Sequence, residues 1–235
     1  MNWKADVRRS LVDPEGLRVV RAPALAALAM SAGLNVSPVS LSNTITRFAA
    51  ELVAEGAFRK MARGLFLNCL ASPRPEPAEV ASTIREGAVV SLQTVLGDSG
   101  VLNNTTHWVT SVCPRSFGDH GVGDTIAGGV EFTFTGIAPR IILAGDESDR
   151  LDMYPYPRAT PEAALIHWLH VGLSPHTKMG MPPDELDLEC FDLDRLDRLA
   201  DAAGLRAETE EILERARRLA GDESSATNGA SILGF

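Results

Sequence analysis

Residues 40–67 combine a helical period with a hairpin pattern, and no other stretch limits the possible folds as strongly. Apolar side chains recur along one face of a helix, at Leu41, Ile45, Phe48, Ala49 and Leu52. Gly56 follows where such a helix would end, and Phe58 to Leu67 has the pattern of two short strands around residues 61–64. This stretch therefore predicts an amphipathic helix followed by a β-hairpin.

The opposite face of the predicted helix carries short polar side chains and one long cation: Ser42, Asn43, Thr46, Arg47 and Ala50. A face without bulky groups can approach base edges in the major groove of DNA. Ser42, Asn43 and Thr46 are therefore candidate base-reading residues, with Arg47 the best candidate for a bidentate guanine contact. The alternative is an ordinary solvated helix face, because a polar face by itself is a weak signal.

Three cations cluster near the turn of the hairpin, at Arg59, Lys60 and Arg63. Cations on a hairpin beside a recognition helix are typical of phosphate or minor-groove contacts. Upstream, residues 22–32 form an Ala-rich helical stretch closed by Gly33, and the connection at 34–38 is short. The order helix, turn, helix and hairpin predicts a winged helix-turn-helix domain.

Charge is divided unevenly along the 235 residues. Residues 1–75 hold ten Lys and Arg against five Asp and Glu, a net of +5, whereas the whole chain carries −9, so residues 76–235 carry −14. A basic module joined to an acidic one is expected when only one part of a protein meets nucleic acid. Because the whole chain has a pI near 5.1, we expect specific local contact with DNA and no general coating of nucleic acid.

The pattern predicts an α+β protein: an N-terminal winged helix-turn-helix domain (1–70), an extended Pro-rich linker (71–79), a mixed α/β domain (80–220) and a disordered tail (221–235). In the second domain, a helix ends near Leu96, and strand-like runs follow at 108–112, 130–137 and 140–144. A Gly-rich segment at 118–129 lacks the motifs of a nucleotide site and is predicted to be a hairpin loop.

Helix start signals are strong at Thr160-Pro161-Glu162. The helix that follows places His167 and His170 three residues apart, which can serve a metal, but no further ligands accompany them. Asp192 and Asp194 have the spacing of a charged helix face and not of a catalytic pair. We therefore expect no catalytic residues, no metal and no cofactor.

The three cysteines, Cys69, Cys113 and Cys190, are far apart and have no ligand-like spacing. They are expected to be reduced thiols. The first residues are charged, and no apolar run reaches about 18 residues. We expect a soluble cytoplasmic protein that does not associate with a membrane.

Several segments, in order, resemble the AbiEi-type transcriptional antitoxins of prokaryotic type IV toxin-antitoxin and abortive-infection systems. The hairpin ends in Arg63-Gly64-Leu65-Phe66, similar to the family's rGvY pattern. The block at 158–172, RATPEAALIHWLHVG, resembles the family's atPEkALlDllY helix. Further similar blocks lie at 88–102, 109–114, 132–137 and 191–199, and the resemblance spans roughly residues 20–205.

This resemblance implies a repressor that binds inverted repeats in its own operator, with a C-terminal domain that neutralises a nucleotidyltransferase-like toxin. It also implies that antitoxin and toxin form no stable complex. The chain departs from the family pattern at Ala163, where the family often has Lys, and at His167, where it often has Asp. No antitoxin role is carried over to those two positions.

Two alternatives come from other functional classes. The chain is a protein-interaction module if the winged helix has only a structural role. It is a stand-alone regulator if no toxin accompanies it. It is a hydrolase or nuclease if the acidic domain uses its carboxylates and histidines, although no Ser-His-Asp elbow, phosphate loop or complete metal cluster accompanies them. The basic hairpin favours DNA, because protein-interaction surfaces are depleted of charge at their centre.

Overall fold

The computed structural model describes residues 2–13, 15–103, 107–115, 124–175, 177 and 179–230, with side chains as far as residue 218. It forms two compact units, Met1–Ile84 with Thr125–Glu131 and Arg85–Asp124 with Phe132–Phe235. The described residues have the predicted α+β fold. No helix among them is both long enough and apolar enough to cross a membrane.

The first unit has the winged-helix order of helices and strands. Its main elements are α1 (Trp3–Val12), β1 (Val19–Arg21), α2 (Ala22–Ser31), α3 (Pro38–Ala54), β2 (Phe58–Ala62) and β3 (Leu65–Asn68). The three strands form an antiparallel sheet in the order β1-β3-β2. Local sequence patterns predict α2, α3 and the hairpin but not α1 or β1, because α1 is rich in charge and β1 has only three residues.

The core of this unit forms on the predicted apolar face of α3. Ile45, Phe48, Ala49 and Leu52 are buried, and Leu41 packs against them at the edge. Trp3 of α1 contacts Phe48 edge to face, with ring centroids 4.9 Å apart. Only one side of α3 is removed from water by this packing. Packing therefore determines which face of the helix remains exposed.

The predicted linker is part of the first unit and not an extended spacer. Residues Pro77–Val80 form a 3-10 turn and Ala81–Ile84 the short helix α4, so the division between the units falls after Ile84. Arg18 donates from Nε and Nη2 to the buried Glu79 carboxylate at 2.9 and 2.8 Å. The prolines correctly exclude a long helix here, but the ion pair joins residues 61 positions apart and leaves no local sequence pattern.

A second, mixed sheet follows along the chain. Its strands are β4 (Val89–Val90), β5 (Val109–Pro114), β6 (Thr125–Ala127) and β7 (Val130–Ile137), with the helix α5 (Gln93–Asp98) between β4 and β5. The strand order is β4-β5-β7-β6, with β5 parallel to β7 and antiparallel to β4. Residues 125–131, which comprise β6, the turn after it and the first two residues of β7, belong to the first unit. Residues 118–123 of the predicted hairpin loop lie outside the described residues.

Helices make up most of the remaining chain: α6 (Pro139–Ile142), α7 (Glu147–Arg150), α8 (Pro161–Gly172), α9 (Leu193–Ala203) and α10 (Arg206–Ala230). The start of α8 is as predicted, because the Thr160 side chain accepts a hydrogen bond from the Ala163 amide at 3.2 Å.

Two of the expected elements differ from the structure. The run at 140–144 is not a strand, since α6 begins at Pro139. A short apolar run does not distinguish strand from helix, and proline at the first helical position favours a helix. In the predicted tail, residues 221–230 continue α10, which ends at Ala230, and residues 231–235 lie outside the described residues. Once a helix has begun, each further residue adds one backbone hydrogen bond.

Candidate nucleic-acid interface

Helix α3 is the element that positions the candidate base-reading residues. It begins after Ser37, whose hydroxyl accepts a hydrogen bond from the Ser40 amide at 3.3 Å, and Pro38 occupies the first helical position. Both features favour a helix start here. Because the apolar face is fixed in the core, the side chains at 42, 43, 46 and 47 project into solvent.

All four candidate base-reading residues on α3 are exposed and lie on one stripe of the helix. The Thr46 hydroxyl donates to the Ser42 carbonyl at 2.8 Å, so its oxygen remains available as an acceptor. Within the described part of the chain, Arg47 makes no ion pair. The stripe therefore offers donors, acceptors and a guanidinium that carries no neutralising partner there.

The hairpin that follows α3 turns tightly at Arg63-Gly64. Ala62 pairs with Leu65 across the turn, and Gly64 has a φ of +69° that an L side chain rarely adopts. Lys60 and Arg63 are exposed, and neither makes an ion pair with a residue that the structure describes. The hairpin, residues 58–68, is called the wing below. Two cations are thus presented near its turn.

The wing is held in place by the turn between β6 and β7. The Arg59 guanidinium donates to the Gly128 carbonyl at 2.7 Å, and the Gly128 amide donates to the Met61 carbonyl at 2.8 Å. Arg59 was predicted to contact phosphate along with Lys60 and Arg63, but the structure gives it a protein partner 69 residues away. Gly128 itself was missed, because no local pattern links residues 125–131 to the wing.

Acidic residues at the far end of α3 are paired with cations of α1. Lys4 lies 2.6 Å from the Glu51 carboxylate, and Arg8 lies 2.7 Å from that of Glu55. These ion pairs are partly exposed and contribute little to stability. Their electrostatic effect matters more here, because neutralised carboxylates repel a phosphate backbone less strongly.

In the second unit, Ser91 and His167 form the pair that most resembles catalytic chemistry. The Ser91 hydroxyl lies 2.8 Å from His167 Nδ1. Ser91 also precedes Leu92, which has a φ of +60° at the start of α5, and this is the backbone geometry of a strained strand-to-helix turn. Ser91 is 0% exposed, however, and no substrate reaches its hydroxyl in this conformation.

The His167 ring is buried and bonded to the protein through Nδ1, which lies 2.8 Å from the Ser91 hydroxyl. Burial, with a smaller contribution from nearby His170, lowers the pKa of His167 from 6.5 to about 4. The residue is therefore neutral at pH 7.

Other candidate chemical residues have structural roles. Burial and then the charge of Arg140 lower the pKa of His170. Asp192 caps α9, accepting a hydrogen bond from the Arg195 amide at 3.0 Å. In the described ranges, no group of three or more His, Cys, Asp or Glu side chains is arranged to hold a metal ion.

Comparison with known proteins finds similarity at the level of fold. No protein-family model matches the chain, and no curated protein matches its sequence. Among solved structures, the crystal structure of the RV2827C protein from Mycobacterium tuberculosis is similar, with a TM-score of 0.51 and 16% sequence identity. The match covers 91% of this chain and 81% of that chain. The chain therefore shares a fold with the RV2827C protein over most of its length.

Proposed function

We propose that this protein is a sequence-specific DNA-binding transcriptional repressor. The observation that carries the proposal is the exposed stripe of α3, which places Ser42, Asn43, Thr46 and Arg47 side by side next to a wing with exposed Lys60 and Arg63. A helix of this kind fits the major groove, and a basic hairpin beside it fits the flanking backbone or minor groove.

In the proposed complex α3 and the wing have different roles. Arg47 donates to guanine O6 and N7, while Ser42, Asn43 and Thr46 hydrogen-bond to neighbouring base edges. Lys60 and Arg63 contact phosphates and fix the register of the helix on the duplex. Arg59 contributes by holding the wing to Gly128, which presents Lys60 and Arg63 in a defined position.

The finer proposal is an antitoxin role in a type IV toxin-antitoxin system. It rests on the sequence resemblance to AbiEi-type antitoxins. The protein represses its own operon at inverted repeats and neutralises a nucleotidyltransferase-like toxin without forming a stable complex with it. It requires no cofactor and no enzymatic activity of this chain.

The DNA-binding proposal is tested by fluorescence anisotropy on a duplex from the gene's own upstream region and on a scrambled duplex, over a salt series. We expect tight binding to the upstream duplex alone. As a control, Arg9→Ala removes an exposed cation of α1 that is paired with Asp6, and binding should not change. Equal or absent binding to both duplexes contradicts the proposal.

The antitoxin proposal needs a separate experiment. The neighbouring nucleotidyltransferase-like gene, where one is present, is expressed alone and together with this protein. We expect growth arrest with the toxin alone, rescue on co-expression, and no stoichiometric complex in a pull-down. Rescue that depends on a stable complex contradicts the mechanism, and failure to rescue leaves a stand-alone repressor.

A protein-interaction module is the second candidate, and one surface of the second unit favours it. Met153 and Tyr154 are exposed apolar side chains beside a cleft of 670 Å³, which is also lined by Glu147 and Asp152. Aromatic residues and Met are enriched where proteins bind one another. If the protein shows no operator preference, a search for a partner at this cleft becomes the next experiment.

A further inference from the structure

Val39 lies one helical turn before the candidate base-reading residues and on the same stripe of α3. Steps of three and four residues connect position 39 to positions 42 and 43, and those to 46 and 47. Its side chain is 85% exposed, the most exposed of the large apolar side chains that the structure describes in the first unit. The stripe therefore begins with an apolar group and continues with polar ones.

In the first turn of α3, Pro38, Val39 and Ser40 are all exposed, and Val39 is the large apolar side chain among them. The neighbouring hydroxyls of Ser37 and Ser40 lie 3.0 Å apart and bond to each other. Val39 has one strongly preferred side-chain rotamer in a helix, so its two methyl groups are held in a defined direction. Isolated exposed apolar residues are common on protein surfaces. Val39, however, lies at the N-terminal end of α3, and recognition helices direct their N-terminal residues towards base edges.

The chemistry of the major groove provides one apolar partner for such a side chain. Guanine, cytosine and adenine present only hydrogen-bonding groups there, whereas thymine also presents its C5-methyl group. We propose that Val39 is a specificity-determining residue that packs against a thymine methyl in the operator. This inference rests on the proposed DNA-binding function and adds a base preference at the position next to those read by Ser42 and Asn43.

The test removes the methyl group from DNA and the side chain from the protein. Thymines of the bound upstream duplex are replaced one at a time by deoxyuridine, which differs only in the missing methyl. Binding of the wild-type protein, Val39→Ala and Val39→Thr is measured by anisotropy. We expect roughly fourfold weaker binding of the wild-type protein at one or two deoxyuridine positions, from the transfer free energy of about one methyl-sized group.

The effects of the two changes on the binding free energy should not be additive. Val39→Ala should bind the thymine duplex more weakly and show no further loss at those deoxyuridine positions. Val39→Thr keeps the shape but replaces one methyl by a hydroxyl, and its sensitivity should be intermediate. Val36→Ala is the matched control, because Val36 is exposed but precedes the helix, and its deoxyuridine profile should equal that of the wild-type protein.

The outcomes separate this inference from the proposed function. Operator preference with the same deoxyuridine profile for wild-type protein and Val39→Ala overturns the Val39 contact alone. Operator preference without any sensitivity to deoxyuridine does the same. Absence of operator preference in the wild-type protein overturns both the proposed function and the contact that depends on it.

Discussion

At the scale of single residues, Arg47 and Lys60 carry the same charge but have different roles in the proposed complex with DNA. Arg47→Ala should cost about 1–3 kcal/mol of binding free energy and relax specificity at one base, because a guanidinium reads guanine through two hydrogen bonds. Lys60→Ala should weaken binding to all sequences alike and flatten the salt dependence by about one unit. Anisotropy titrations on single-base operator variants measure both effects.

The same titrations also test whether α3 and the wing have separate roles. Arg63→Ala is the matched comparison for Lys60→Ala, since both cations lie on the wing and both should act without base preference. If Arg47→Ala and Lys60→Ala gave identical profiles across the operator variants, α3 and the wing would not divide the recognition as proposed.

The low pKa of His167 predicts a pH dependence of the free energy of unfolding, and this prediction does not depend on DNA binding. Its pKa in the folded protein is about 4, below the ordinary value of 6.5. Between these values the unfolded chain binds a proton that the folded protein does not, so the free energy of unfolding falls as the pH falls. The contribution of His167 to this loss should be about 3 kcal/mol by pH 4 and absent above about pH 7.

Urea unfolding between pH 4 and 8 measures this dependence. His167→Gln keeps a polar side chain that does not titrate, so its free energy of unfolding should fall less over the same range even if it is lower throughout. His107→Gln alters an exposed histidine and should preserve the wild-type profile. A wild-type slope unchanged in His167→Gln would contradict the assignment.

At the scale of structural elements, the contact between the wing and residues 125–131 depends on a glycine. A Cβ at Gly128 would lie 2.5 Å from Met61 Sδ and 3.1 Å from the Lys60 carbonyl, whereas one at Gly129 would meet nothing within 4 Å. Both glycines have positive φ, so either alanine carries a backbone cost of about 1–2 kcal/mol. Gly128→Ala should cost a further 1–3 kcal/mol, roughly, from overpacking.

Gly129→Ala is thus the control for Gly128→Ala, since the two differ mainly in the space available. Urea unfolding gives the free-energy difference, and hydrogen exchange of the Gly128 amide reports whether its bond to Met61 is kept. Equal destabilisation by the two variants, with equal exchange rates, would show that the close approach of the turn to the wing contributes nothing to stability.

At the scale of the whole molecule, charge sets how the protein responds to salt. By sequence, the first unit carries ten Lys and Arg against eight Asp and Glu, and the second carries 12 against 23. Only a few cations should therefore meet phosphate. The slope of log binding constant against log salt should be about −2 to −3, at roughly 0.9 for each phosphate neutralised by Lys60, Arg63 or a neighbouring cation.

Anisotropy from low to moderate salt measures this slope. Glu86→Gln, an exposed acidic substitution in the second unit, should leave the slope unchanged. A slope several times steeper would require a much larger cationic surface than the wing provides, and a slope near zero would mean that DNA binding does not depend on phosphate contacts.

Local patterns in the sequence were sufficient for several elements. The period of α3, the Thr160-Pro161 helix start and the alternation in β7 all depend on residues within a few positions of each other. Side-chain direction follows directly from such spacing. For that reason the exposed stripe of α3, and with it most of the candidate interface, was predictable from sequence.

The amino-acid sequence by itself determined the order of α2, α3 and the hairpin, the polar stripe of α3 and the uneven distribution of charge. Only the tertiary structure decided that Arg59 binds Gly128, that Arg18 binds Glu79 and that Ser91 faces His167, pairs that are 69, 61 and 76 residues apart. Helical and strand periods arise from neighbouring residues, whereas such contacts form only when packing brings distant segments together and leave no repeating pattern along the chain.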